Sequence, residues 1–310
     1  MKKQVFGSLL ATFFLAATLF SCQKDASTSK DNFDTEASEQ SDDQSEFAAQ
    51  IDASANETSA VLEAAGTIAQ RGEDIQTIIC NATVVVDSIS NIRTLTITYN
   101  GADCLGQFSR TGTILVSIPA GVHWKNAGAT ITLQYQNMVI TRIADNKSIT
   151  INGSHNITNV SGGLLYNLPN LSSITHTITS SGMTVKFPNS DVRTWQVAKQ
   201  RVFTYNNGVV ITTTGTHTEG TVTGIAEWGI SRSGRAFTSA ITQPLVIRQD
   251  CAFRLVSGQV THKVPVFTAV ATFGLNANGD ATSCPGTGHY YCKVVWTGLA
   301  GNSRMVIFPY

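Results

Sequence analysis

The chain has 310 residues, and its 21 Lys and Arg are balanced by 21 Asp and Glu, leaving no formal net charge. The chain has no basic cluster and no nucleic-acid motif, so no nucleic-acid partner is expected. The length accommodates one large domain or two modest ones.

Residues 1–21 read as a secretory signal. Met1-Lys2-Lys3-Gln4 supplies positive charge, a mostly apolar run follows from Val5 to Phe20, and the small Ser21 precedes Cys22. The run is shorter than the roughly 20 residues of a membrane-spanning helix. Leu19-Phe20-Ser21-Cys22 resembles the lipobox of bacterial lipoproteins, in which the chain is cut before the cysteine and the cysteine thiol becomes a thioether to diacylglycerol. The resemblance implies lipidation at Cys22 and durable membrane attachment, since each buried methylene contributes about 0.8 kcal/mol. Gln23-Lys24-Asp25 is similar to the export signal of surface lipoproteins in the Bacteroidota. It implies a lipid-anchored position in the outer membrane, facing the cell surface.

Residues 22–46 are expected to form an acidic flexible tether. Asp31, Asp34, Glu36, Glu39, Asp42, Asp43 and Glu46 follow one another with no Lys or Arg between Lys30 and Arg71. The stretch has too few large apolar residues to fold by itself. Residues 47–79 read as a linker whose Ala/Glu/Ile/Leu pattern has room for a short helix.

From Cys80 to Tyr310 the balance reverses, with sixteen Lys and Arg against eight Asp and Glu, read as solvated strand faces. Thr alternates with aliphatic and aromatic residues, as in Thr94 to Tyr99, Ala129 to Tyr135, Ile174 to Thr179, Val209 to Thr214 and Val266 to Phe273. Gly, Asn and Ser clusters separate these runs, as at Asn206-Asn207-Gly208. The spacing predicts roughly 12–15 strands without helical interludes. Residues 80–310 are therefore expected to be all-β, a large antiparallel meander sheet that is flat, curved or closed part-way into a half-barrel.

Five cysteines remain after Cys22, in a compartment that oxidises thiols. Cys80 and Cys104 flank one hairpin layout, and Cys251 and Cys284 flank another. Pairing them as Cys80–Cys104 and Cys251–Cys284 would contribute about 3 kcal/mol each in the chain-entropy model. Cys292 is then left over, although it also stands close enough in sequence to Cys284 to pair across Pro285-Gly286-Thr287-Gly288.

From about Cys80 to Trp296 the chain resembles uncharacterised lipoproteins of the Bacteroidota. The residues that carry this are the first cysteine hairpin, Arg110-Thr111-Gly112-Thr113-Ile114-Leu115-Val116, and Gln243-Pro244-Leu245 leading into Cys251. The resemblance implies architecture and location, and brings no activity or ligand.

Chemistry is sparse. His123, His155, His176, His217, His262 and His289 form no metal-ligand pairs, and Cys284, His289 and Cys292 lack the fourth ligand of a structural zinc. Glu219 and Glu227 would stand about 26 Å apart on a continuous strand, too far for the roughly 5–9.5 Å of a glycosidase pair. Gly229-Ile230-Ser231-Arg232-Ser233 lacks the closing glycine of a nucleophile elbow. Trp124, Trp195, Trp228 and Trp296, with Tyr135, Tyr166 and Tyr205, are candidates for a sugar-stacking surface or for packing. No catalytic, cofactor-binding or metal-binding set is expected. The sequence points to a non-enzymatic envelope protein with a binding or structural role. Its partners would be the membrane through the lipid and a glycan or other envelope component, with no nucleic acid. The alternative is a lipid or lipoprotein carrier with a cavity inside a curved sheet, marked by a continuous apolar lining.

Overall fold

The computed structural model describes residues 33–67, 79–87, 92–104, 106–284 and 288–310. The signal segment and Cys22 lie outside the described residues. Among the described residues one α-helix, α1 (Phe33–Thr67), precedes fifteen strands. They are β1 (Ala82–Asp87), β2 (Ile92–Ala102), β3 (Phe108–Pro119), β4 (Ala129–Arg142), β5 (Ser148–Asn159), β6 (Ile174–Lys186), β7 (Val192–Tyr205) and β8 (Val209–Gly215). The series continues with β9 (His217–Glu219), β10 (Val222–Ile230), β11 (Ala236–Arg248), β12 (Arg254–Val264), β13 (Phe267–Leu275), β14 (Tyr291–Gly298) and β15 (Ser303–Pro309).

All fifteen strands belong to one antiparallel sheet, and neighbours in sequence are mostly neighbours in space. The all-β reading of the body is correct. One irregularity positions the site. The first half of β7 pairs with β10 and its second half with β8, and β11 does the same on the far side. Thus β8 and β10 share one slot end to end, and Gly215 and Gly224 meet at the seam. A Cβ on Gly215 would fall 2.0 Å from the Gly224 carbonyl oxygen, so only glycine permits that approach.

The sheet curls. Register shifts interrupt the ladders between β3 and β4, β4 and β5, β5 and β6, and β6 and β7. Bulges of this kind bend strands and increase twist. At the first of them Gly112, with φ +108°, lies so close to the partner strand that a Cβ would come 2.3 Å from the Asn137 carbonyl oxygen. The edges β1 and β15 each pair on one side only.

Inside the curl lies α1, and here the tether reading needs correction. Residues 33–46 are the first part of a 35-residue helix, not a solvated tether, and the helix is far longer than the short one expected after residue 46. Gln40, Asp43, Glu46, Phe47, Gln50, Ile51, Ser54, Ala55, Glu57, Thr58, Ser59 and Val61 are all buried. At 100° per residue these positions cover more than half of the helix circumference. Composition misled because the acids outnumber a short apolar stripe, and a mostly polar helix normally stays in water. Here Phe47, Ile51, Ala55 and Val61 join the core of the sheet, and polar side chains of the strands meet the buried acids.

Those side chains also correct the solvated reading for part of the basic residues, while Lys125, Lys186 and Lys263 are exposed as expected. Arg110 of β3 donates from both terminal nitrogens to Glu57, at 3.1 and 2.8 Å. Arg142 of β4 does the same to Asp42, at 2.7 and 2.9 Å, and Lys147 adds a contact at 3.0 Å. Arg232, beyond β10, binds Asp43.

Candidate functional site

The space between α1 and the later strands is a cavity of about 270 Å³, near the lower end of the 300–1,000 Å³ typical of small-ligand pockets. Strand alternation builds its wall. Ile241, Leu245 and Ile247 of β11, Leu255 and Val260 of β12, Ala269, Ala271 and Phe273 of β13, Val294 and Trp296 of β14 and Phe308 of β15 all line it. The opposite side is the small-residue face of α1, including Ser41, Ser45, Ala48, Ala49 and Ala53. Phe108 and Arg110 of β3 line it too, so the curl brings both ends of the sheet to one cavity.

Polar groups converge where β8 meets β10. Glu227 accepts from Lys199 Nζ at 2.8 Å, from Gln44 Nε2 at 2.8 Å and from Trp195 Nε1 at 3.2 Å. Burial alone would drive Lys199 towards its neutral form, but Asp52 and Glu227 outweigh it and hold the ammonium above its ordinary range. Arg201, two residues along β7, donates to Asn56 Oδ1 at 2.8 Å.

Glu227, Ser239 and His262 stand side by side on β10, β11 and β12. Ser239 Oγ lies 2.7 Å from His262 Nδ1 and 2.7 Å from Gln44 Oε1. The proton positions follow from the anion. Glu227 only accepts, so Gln44 turns its amide nitrogen to Glu227 and its oxygen to Ser239. Ser239 therefore gives its proton to Gln44, and His262 donates from Nδ1 to Ser239. Burial pushes His262 down to about 4, so the ring is neutral at physiological pH. A serine whose proton points away from the histidine is not an activated nucleophile. The hydrogen bonds run Glu227, Gln44, Ser239, His262, so the glutamine and the serine stand between the groups that a triad would place in contact.

The residues expected from sequence are distributed as follows. Cys80 pairs with Cys104 and Cys251 with Cys284, each at a Cα–Cα distance of 5.2 Å. Cys292 is a buried free thiol, pushed up to about 12 by burial. Among the described residues, the one group of three that could hold a metal is Asp250, Cys251 and Cys284, and both of its sulfurs belong to a disulfide. Glu219 is exposed on β9 while Glu227 is buried on β10, so the two share no site. Trp124, Trp195 and Tyr135 are buried, Tyr166 and Tyr205 are exposed, and Trp228 stacks on His217 at 3.9 Å. They do not assemble into a single stacking platform.

Sequence reasoning missed Lys199 and Arg201. A signal was present: in Trp195-x-Val197-x-Lys199-x-Arg201-x-Phe203 two cations occupy the inward register of an apolar strand, and all five side chains are buried. The helix residues facing them, Asp52 and Asn56, fall where only a short helix was expected.

No family model, curated protein or solved structure matches this chain. Among the described residues no helix is long and apolar enough to cross a membrane.

Proposed function

We propose that this is a non-enzymatic, lipid-anchored protein of the bacterial outer membrane, displayed at the cell surface, that carries an apolar ligand between α1 and the wall of β11 to β15. The lipobox ending in Cys22 and the residues after it support the location. One observation carries the choice of a carrier over a purely structural part: each of five consecutive strands, β11 to β15, contributes apolar side chains to the lining. Side chains that pack only for stability would meet across that space. The scattered aromatics give less support to a glycan.

Binding of Nile red, a neutral apolar dye, tests this on the purified full chain. Saturable, stoichiometric binding with a blue-shifted emission is expected. Ala271→Trp, which extends a side chain into the cavity, is expected to abolish it. Absence of saturable binding by the parent chain overturns the reading.

A further inference from the structure

Among the described residues, the cavity contains one cation without a counter-charge at contact distance. Arg110 has Glu57, and Lys199 has Glu227 at 2.8 Å and Asp52 at 3.6 Å. Arg201 is 4% exposed, and its Nη1 is committed to the neutral carbonyl of Asn56. Asp52 acts on it through space, but makes its ion pair with Lys199. The buried Nε of Arg201 has no acceptor among the described residues. With Nη1 taken, the free side of the guanidinium is the Nε–Nη2 edge, a planar two-donor fork that matches a carboxylate. A guanidinium does not shed its proton to escape burial, and a buried charge left unpaired is costly. An acceptor supplied from the cavity removes that cost.

The strand register then leads from this charge into the apolar wall. Arg201 pairs with Thr213 on β8, and Thr213 with Leu245 on β11. Leu245 packs against Gly258 of β12, which pairs with Phe273 of β13. Four strand-to-strand steps at about 4.8 Å span roughly 19 Å. Along them the lining changes from cation to hydroxyl to hydrocarbon.

We infer that the ligand is a long-chain monocarboxylate, a fatty acid whose carboxylate takes the Nε–Nη2 edge of Arg201 and whose chain lies along Leu245 and Phe273. The inference rests on the carrier reading and adds the headgroup to it. Palmitate and hexadecanol share a chain and differ in charge, so their displacement of Nile red from the full chain at neutral pH isolates the headgroup. Palmitate is expected to bind at least about tenfold tighter than hexadecanol, the scale of a charge-assisted hydrogen bond. Arg201→Gln is expected to remove that advantage while leaving hexadecanol unchanged, and Arg201→Lys to retain part of it. Equal affinity for the two ligands in the parent chain overturns the inference and needs no variant to fold. So does an Arg201→Gln variant that weakens both ligands alike. In either case Nile red still binds and the carrier reading stands, whereas failure to bind dye, acid and alcohol removes both.

Discussion

Glu57 of α1 and Arg110 of β3, fifty-three residues apart, form a two-pronged ion pair with side chains 1% and 4% exposed. Tyr99 completes it by donating its hydroxyl to Glu57 Oε2 at 2.6 Å. Removing one member of such a pair strands the other charge in the interior. Glu57→Gln is therefore expected to cost about 3–5 kcal/mol, whereas an apolar replacement of both, Glu57→Leu with Arg110→Met, costs much less. Urea unfolding of the three proteins compares them. Equal destabilisation by the single and double variants would contradict the buried-charge account.

Glu46 gives α1 a pH dependence. Burial pushes its carboxyl up to about 8, and Oε1 has no hydrogen-bond partner among the described residues. Asp43 is also raised, to about 6, by burial that its bond to Arg232 only partly offsets. Unfolded carboxyls titrate near 4, so between about pH 4 and 8 the folded chain holds protons that the unfolded chain has released. The stability these groups contribute is complete below that window and is lost as pH rises through it. Glu46→Gln is expected to flatten the decline of the thermal midpoint between pH 5 and 8. It should also raise the midpoint at pH 8 by about 2–4 °C per kcal/mol recovered. A variant with the parent's slope would show that Glu46 is charged in the fold.

The cysteines should separate by reactivity. Non-reducing peptide mapping is expected to find Cys80 joined to Cys104 and Cys251 to Cys284. Iodoacetamide should modify Cys292 only after denaturation, because its thiol is both buried and held protonated. Cys80→Ser is expected to lower stability by about 2–5 kcal/mol. Recovery of a Cys284–Cys292 peptide would reverse the second pairing.

The proposed attachment rests on Cys22. The Cys22→Ala chain is expected to accumulate as an unprocessed precursor without diacylglycerol, observed as a mass increase over the cleaved form and loss from the detergent phase. Normal processing of that variant would remove the lipoprotein assignment.

The strands were legible because a half-buried sheet imposes period two directly on sequence. Thr94 to Tyr99 falls within β2, Ala129 to Tyr135 within β4 and Ile174 to Thr179 within β6. The hairpin layouts that brought cysteines together were legible for the same reason. α1 was not, since Asp42, Asp43 and Glu57 carry no mark that distinguishes a solvated acid from one awaiting an arginine. The clue was global. An acidic segment without cations precedes a body with twice as many cations as acids, and each half is the other's counter-ion. Arg201 was illegible as a binding group because its significance lies in the partner it lacks, which only the packed structure reveals.

The position of α1 also constrains the order of assembly. The helix precedes every strand, yet Gln44 bonds to Ser239, 195 residues later. Hairpins along the meander close over short loops, while that contact closes a loop spanning most of the molecule. A helix so polar is marginal in water, so α1 reaches its final state only after β11 has paired. Its early position in the chain makes it one of the last parts to be secured. Until then the basic residues that will enclose it are open to any other acid.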